Sequence, residues 1–396
     1  MPDAEGLGWE AVDFDLTTEQ QALREAVRAF AEEVVAPAAP GYDEREEFPL
    51  EVLRRAAEMG LFGIPFPERW GGQGGDLLSF CVVLEEIARY DSSVAITLEA
   101  AVGLFGNALL RFGTDEQRER WLVPMARGEA IGAFALTEPG GGSDARAIRT
   151  TARLDGPEWV IDGSKAFITN SGTPITSAIL VAARDEDAEG GDVSTIVVPA
   201  GTPGMTVGPG YRKVGWRASD THEIAFDGCR VPAENLLGQR GRGYAEFLET
   251  LTDGRIAIAA LSVGLARGCL EESARYAGER EAFGRPIGAF EAIRFKLADM
   301  AVGIETARLA YQRAAWLRDA GRPCATEASI AKLYASEVAV SAAREAVQVH
   351  GGYGYVEDFP VARFYRDAKI LEIGEGTSEI QRLLIARSLG LPEPTP

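Results

Sequence analysis

The spacing of hydrophobic residues changes twice along this 396-residue chain, and this change limits the possible folds most strongly. In the first third, apolar residues recur at three- and four-residue intervals, which is typical of amphipathic helices. Thr17 with Gln20 and Thr114 with Gln117 match the capping-box pattern of helix starts. We expect the first helix to end before Pro37 and this part of the chain to be all-α.

From about residue 131 to 232, short runs of β-branched and aromatic residues replace the helical spacing. Strands are predicted at residues 159–161, 178–183 and 194–198. Asp-Gly pairs at 155–156, 162–163 and 227–228 predict turns between strands. The middle of the chain is therefore predicted to form a small β domain.

Helical spacing returns from Gly243 onward and continues over long stretches. Such lengths predict a helical bundle, and the broad apolar faces indicate packing against another subunit. The expected fold is thus α+β and multidomain. Its segments are an N-terminal all-α domain (1–130), a middle β domain (131–233) and a C-terminal helical bundle (234–396).

Charge and composition exclude several classes of partner. Sixty acidic against forty basic residues give a net charge of −20, which disfavours nucleic acid. No apolar run approaches the roughly 18–20 residues that cross a bilayer, so no membrane span is expected. The acidic N-terminus, unlike a targeting segment, predicts a cytoplasmic protein; its acidic residues are Asp3, Glu5, Glu10, Asp13 and Asp15.

Cysteine and histidine give no support to a metal site. The four cysteines are widely separated and are expected to be reduced packing residues, namely Cys81, Cys229, Cys269 and Cys324. The only histidines, His222 and His350, lie in different predicted domains. We expect no metal.

The glycine-flanked Glu375 is the strongest candidate for chemistry. Gly374 and Gly376 allow the backbone to crowd a ligand and leave the carboxylate accessible, as a base acting on a weakly acidic C–H requires. Two further motifs could serve a flat heterocyclic ligand. One is the glycine-rich run 134–144; the other is a strand end on which Phe167 and Thr169 share a face.

A further motif has two parts, residues 278–286 and 348–355. Arg280 could clamp a diphosphate, and Gly351 and Gly352 could let the backbone approach it closely. Each motif alone can also be explained without a ligand, as an ordinary turn, a core phenylalanine or a solvated arginine.

Taken together and in this order, the motifs resemble the acyl-CoA dehydrogenase family over nearly the whole chain, from about Leu16 to Leu389. The resemblance implies an N-terminal helical domain, a middle β domain and a C-terminal four-helix bundle, usually in a homotetramer with one FAD per subunit. It also implies an acyl-CoA substrate and an electron-transferring flavoprotein as electron acceptor. The pathways implied are fatty acid β-oxidation or branched-chain amino acid catabolism.

The resemblance also assigns roles to individual residues. Glu375 matches the catalytic base that takes the α-proton while the β-hydride passes to flavin N5, giving a trans-2-enoyl-CoA. The matching cofactor positions are Phe134, Leu136, Thr137, Gly142, Ser143, Phe167, Ile168, Thr169, Arg280, Phe283, Gln348, Gly351, Gly352, Thr377 and Glu379. Among these, Phe167 would stack on the isoalloxazine, while Arg280, Phe283, Gln348 and Gly352 would reach the FAD of a neighbouring subunit. The substrate positions are Ser143, Asp253, Arg255 and Gly376.

Some positions depart from the family pattern. Relatives specific for isovaleryl or long-chain substrates carry the base where this chain has Gly254, which excludes that placement here. Glu99 lies in the helix that floors the acyl pocket in relatives, and a capped or solvated side chain is an equally good interpretation. No arginine in residues 92–98 would hold a terminal carboxylate, so a dicarboxylic acyl group is disfavoured. Chain length and branching stay open.

Three alternatives remain at this stage. An acyl-CoA oxidase would share the fold but use oxygen, and a carrier-protein dehydrogenase would not need a CoA ester. A flavin-free binding or scaffold protein would have kept the fold and lost the reaction. The visible spectrum of the purified protein separates the last from the others.

Overall fold

A computed structural model describes residues 15–188 and 192–390. The acidic residues Asp3, Glu5, Glu10 and Asp13 lie outside the described residues. The predicted order of helical, β and helical segments is confirmed. Both predicted capping boxes are formed: Thr17 Oγ1 accepts from the Gln20 N–H, and Thr114 Oγ1 accepts from the Gln117 N–H, at 3.2 Å each.

The N-terminal segment consists of eight helices in the described part of the chain, some joined by π-helical turns. They are α1 (Thr18–Phe30), α2 (Ala36–Arg45), α3 (Leu50–Glu58), α4 (Leu77–Ala88), α5 (Ser92–Leu98), α6 (Asn107–Phe112), α7 (Asp115–Gln117) and α8 (Val123–Ala126). The first helix, α1, ends at Phe30, before Pro37 as expected. A π-helical turn, Ala31–Val35, continues into α2, where Pro37 occupies the first turn and needs no N–H donor.

The middle segment is one mixed sheet of eight strands among the described residues. They are β1 (Ile131–Ala135), β2 (Thr151–Asp155), β3 (Glu158–Thr169), β4 (Thr176–Asp185), β5 (Val193–Pro199), β6 (Met205–Gly210), β7 (Thr221–Pro232) and β8 (Leu236–Leu237). The strand order is β6-β7-β3-β2-β4-β5-β8, with β1 parallel to β4. Each predicted strand lies inside β3, β4 or β5.

Two of the three Asp-Gly turn predictions are wrong. The pair at 155–156 does join β2 to β3, but the other two pairs lie inside β3 and β7. There the register shifts, and the Gly228 N–H donates to Asp162 Oδ1 at 2.6 Å. Gly163 is required because a Cβ there would lie 2.6 Å from the Thr150 Cα. These glycines therefore form a β-bulge rather than turns.

The C-terminal segment contains three long helices with two shorter ones packed on α11. They are α9 (Gly243–Glu279), α10 (Glu291–Asp319), α11 (Ala325–His350), α12 (Pro360–Ala368) and α13 (Ser378–Ser388). A two-stranded hairpin, β9 (Glu281–Ala282) and β10 (Arg285–Pro286), separates α9 from α10.

Asp367 joins the three segments of the chain. It is fully buried. Its Oδ1 accepts from the Trp216 N–H at 2.7 Å, and its Oδ2 accepts from the Ser92 hydroxyl at 2.9 Å. Burial raises the pKa of Asp367 to about 6. The side chain therefore links α12, the β segment and α5.

One helical stretch of the described residues, Ser92–Phe112, is long and apolar enough by length and composition to cross a membrane, although no apolar run of that length was expected from the sequence. Of its most apolar window, 89% is buried inside the fold, which is typical of a core helix. The four cysteines are unpaired and buried in the core.

Candidate active site

Glu375 lies in a tight turn between α12 and α13, with an unusual backbone. Its φ is +53°, in the left-handed region that few non-glycine residues adopt, and Gly376 follows at +95°. Thr377 ends the turn and caps α13, where its Oγ1 accepts from the Ile380 N–H at 3.3 Å. The turn thus directs the glutamate side chain into the protein.

The Glu375 carboxylate lies against α9. A Cβ on Gly254 would be 2.2 Å from Glu375 Oε2, so any side chain there would displace the carboxyl group. The π-helical segment Glu99–Gly106 contributes Glu99, whose side chain is fully buried. The possibility that Glu99 is solvated is therefore wrong.

Glu99 and Glu375 form a pair of interacting buried carboxyl groups. None of their four oxygens receives a hydrogen bond from any other described residue. Burial and the Glu375 charge raise the pKa of Glu99 well above its ordinary value. Burial also raises the pKa of Glu375 from 4.5 to about 7, although Glu99, Lys332 and Arg255 favour its ionised form. At neutral pH the pair carries at most one negative charge.

Two residues of α9 next to Gly254 differ in whether their side chains are free to contact a ligand. Arg255 is buried near Glu375, and its Nε has no partner among the described residues. Asp253 instead forms ion pairs of 2.6 Å with both Arg111 and Arg318. The Arg255 guanidinium can therefore face a ligand, whereas the Asp253 carboxylate is already paired.

The predicted flavin-side residues gather at the ends of β1 and β3. The Ala166 N–H donates to the Thr137 carbonyl at 2.9 Å, so Thr137 lies beside Phe167 and Thr169. Phe167 has a φ of +59° and is 64% exposed, and its ring stacks on Tyr211 with centroids 4.9 Å apart. An exposed aromatic side chain on a strained backbone is typical of a ligand platform.

A buried ion pair that sequence reasoning missed supports this platform. Lys165 Nζ donates to Glu138 Oε1 at 2.8 Å and to the Leu136 carbonyl at 3.1 Å. Glu138 also accepts from the N–H groups of Arg149 and Thr150. Burial lowers the pKa of Lys165 to about 8. The pair fixes the start of the glycine-rich loop, on which Gly142 and Ser143 are exposed.

Two predicted cofactor side chains point elsewhere. Ile168 is buried in the core of the β segment, so only its backbone can face a ligand. Phe134 packs on Phe247 of α9, with ring centroids 4.0 Å apart.

Thr377 caps α13, and Glu379 is exposed in the first turn of that helix.

The remaining predicted residues form a second and distant cluster. Arg280 follows Gly254 by 26 positions on the same helical path, or roughly 39 Å at 1.5 Å per residue. Arg280 lies over the Tyr353 ring, and Phe283 is 94% exposed. Gln348, Gly351 and Gly352 are exposed nearby in the chain. This cluster therefore lies far from Gly254 and from the Glu375 carboxyl group beside it.

Comparison with known proteins agrees with this architecture. Three family models match in order: the acyl-CoA dehydrogenase N-terminal domain at residues 17–129, the middle domain at 133–229 and the C-terminal domain at 241–390. The chain belongs to the acyl-CoA dehydrogenase family. It is therefore an FAD-dependent oxidoreductase that acts on the CH–CH group of acyl-CoA donors.

Individual relatives match along almost their whole length. A probable acyl-CoA dehydrogenase of Bacillus subtilis is 48% identical over 96% of this chain and 100% of its own. A short-chain specific acyl-CoA dehydrogenase of Clostridium acetobutylicum is 43% identical over 95% and 99%. The butyryl-CoA dehydrogenase structure from Megasphaera elsdenii has a TM-score of 0.93 at 40% identity, over 96% of this chain and 100% of that one.

An acyl-CoA dehydrogenase from Bacillus anthracis, solved in complex with FAD, has a TM-score of 0.90 at 34% identity, over 95% of this chain and 67% of that one. The residues of this chain fit such a cofactor. Phe167 offers an exposed ring face, and the loop that carries Gly142 and Ser143 offers backbone and hydroxyl donors.

Proposed function

We propose that this enzyme oxidises a short, straight-chain acyl-CoA to its trans-2-enoyl thioester, with Glu375 as the base that removes the α-proton. The observation that carries the proposal is the buried Glu375 carboxyl group, which lacks a hydrogen-bond donor outside the pair with Glu99. A carboxylate in such a site is a stronger base than one in water. Arg255, Gly376 and Ser143 are assigned to the substrate side.

This chain contributes position and charge to the reaction. The backbone N–H of Glu375 is proposed to donate to the thioester oxygen, so that negative charge developing there is stabilised. The buried surroundings exclude water from the base. When bound, FAD supplies the two-electron acceptor for the β-hydride. Phe167, Thr137 and Thr169 are proposed to orient its ring.

The preference for a short chain rests on two observations. Relatives at 43% and 40% identity are named as short-chain and butyryl-CoA enzymes. In this chain, Glu99 adjoins Glu375 and its carboxyl group occupies space beside the base. A polar group there restricts the depth open to an apolar acyl tail. The corresponding pathway role is fatty acid β-oxidation.

A homotetramer and an electron-transferring flavoprotein complete the proposal. Phe295, Val302 and Leu309 are exposed at seven-residue intervals along one face of α10, which supports packing against another copy. The second cluster, around Arg280, would then complete the FAD site of a neighbouring subunit. Native mass spectrometry of the FAD-loaded protein tests the tetramer.

The substrate is tested by anaerobic mixing of the FAD-loaded protein with a panel of thioesters. We expect butyryl-CoA to bleach the oxidised flavin spectrum faster than octanoyl-, isovaleryl- or glutaryl-CoA. Fastest bleaching by a branched or long chain would overturn the substrate assignment. Reoxidation by an electron-transferring flavoprotein rather than by oxygen separates a dehydrogenase from an oxidase. Comparison with a carrier-protein thioester tests the need for CoA.

A further inference from the structure

Two buried side chains hold the backbone of the Glu375 turn. Lys332 Nζ, from α11, donates to the Gly376 carbonyl at 2.8 Å. Gln381 Nε2, from α13, donates to the same carbonyl at 3.0 Å and to the Glu375 carbonyl at 3.3 Å. Both side chains have 0% relative exposure. The turn is thus attached to two separate helices through its own carbonyl groups.

The turn needs such support because its conformation is unfavourable. A glutamate at a φ of +53° persists only where the surrounding structure holds it. The contact is close, since a Cβ on Gly376 would lie 2.7 Å from Gln381 Nε2. Loss of Lys332 would remove one of the two donors to the Gly376 carbonyl, and loss of Gln381 would also leave the Glu375 carbonyl without its donor. Either loss would let the turn relax towards a more common conformation.

We propose that Lys332 and Gln381 form a carbonyl clamp that positions Glu375 for proton removal, and that the Lys332 charge also favours the ionised form of Glu375. This inference rests on the proposed role of Glu375 as base. Lys332 and Gln381 are positioning residues, because they contact the backbone of the turn and act on the carboxyl group only indirectly.

The two members of the clamp differ in charge, and this difference makes the proposal testable. Burial lowers the pKa of Lys332 to about 8, while the nearby Glu375 opposes that change. The charged groups that face Glu375 or Lys332 come from five elements of the chain. They are Glu99, Arg255, Lys332, Glu372 and Glu379. Removing Lys332 deletes a cation from this set, whereas removing Gln381 changes no charge.

The experiment uses the FAD-loaded protein and four variants: Lys332→Met, Gln381→Leu, Glu375→Gln and Lys369→Met. Lys369 is a matched control, because it is an exposed lysine close to the turn in sequence and pairs with Glu372. Flavin reduction by butyryl-CoA is followed anaerobically from about pH 5 to 9, to cover the ionisation of the base. Infrared spectroscopy follows the protonated carboxyl band that is absent from Glu375→Gln.

The clamp predicts distinct results for its two members. Lys332→Met and Gln381→Leu should each slow flavin reduction about tenfold to a hundredfold, as expected for a misplaced base. Only Lys332→Met should also move the rising limb of the rate, and the Glu375 infrared band, to higher pH. Lys369→Met should behave like the wild type. If Lys332→Met does not retain FAD, Lys332→Gln, which removes the charge but keeps a donor, should show the same pH shift.

Four results would contradict the proposal. Wild-type rates in both clamp variants would exclude positioning, and equal slowing without any pH shift would reduce Lys332 to structural support. Rapid flavin reduction by Glu375→Gln would instead reject Glu375 as the base, and the clamp with it. An inactive Glu375→Gln together with normal Lys332→Met and Gln381→Leu would reject the clamp alone.

Discussion

Gly254 of α9 and Glu375 fit together so closely that a single added carbon on Gly254 would lie 2.2 Å from Glu375 Oε2. Gly254→Ala should therefore displace the carboxylate. We expect flavin reduction to slow by about a hundredfold with FAD still bound, because small displacements of a base are costly. Gly278→Ala is a suitable control in the same helix, since its Cβ would meet nothing within 4 Å. Equal rates in the two variants would contradict this packing.

The pH dependence of the reaction should follow Glu375. Its pKa is raised to about 7, and only the ionised form can accept a proton. The rate of flavin reduction should rise about tenfold per pH unit below 7 and level off above it. Stopped-flow measurements with butyryl-CoA check this. A rise in rate centred near pH 4.5, the ordinary pKa of glutamate, would show that burial does not raise the pKa of the base.

The raised pKa of Glu375 also predicts how the stability of the protein changes with pH. Because the folded protein holds the Glu375 proton more tightly than the unfolded chain, this group's contribution to stability falls as pH rises from about 4.5 to 7. At lower pH the contribution is fully present.

The Lys165–Glu138 pair should stabilise the flavin platform. Lys165→Met leaves the Glu138 charge buried without its cation and should lower the free energy of unfolding by about 3 kcal/mol. Denaturant unfolding measures this loss. The double variant Lys165→Met with Glu138→Gln removes the unpaired charge and should recover part of the stability. No recovery would mean that the two side chains act independently.

Phe167 should contribute directly to FAD affinity. Phe167→Ala removes the exposed ring and should weaken FAD binding about tenfold or more, as for other stacking aromatics. The ratio of flavin to protein absorbance after dialysis reports the loss. Leu154→Ala, another exposed apolar side chain of the β segment, is expected to retain FAD. Equal retention in both variants would remove Phe167 from the FAD site.

Local patterns predicted the fold well because capping boxes and hydrophobic spacing act over a few residues. Thr17 with Gln20, for example, needs no distant partner to begin α1. The failures involve contacts between distant parts of the chain. Asp162-Gly163 has the signature of a turn, yet pairing of β3 with β7 makes it part of a bulge.

The candidate site could also be predicted only in part, because it depends on contacts between distant parts of the chain. Glycines on both sides of Glu375 identified an exceptional carboxylate, but its environment depends on α9, α11 and the segment that carries Glu99. Lys332 was missed although it is a single lysine among buried alanines of α11, a pattern that could have indicated a buried cation. The role of Asp367 could not be predicted from the sequence, because its partners Ser92 and Trp216 are remote along the chain.

The most direct test of the account is single-turnover flavin reduction in Glu375→Gln, measured anaerobically with saturating butyryl-CoA. The variant should retain FAD, because the side chain is not placed on the flavin platform. We predict that the rate falls by about a thousandfold relative to the wild type, the range expected for loss of a general base. A yellow, FAD-loaded Glu375→Gln protein that is reduced at nearly the wild-type rate would contradict the account.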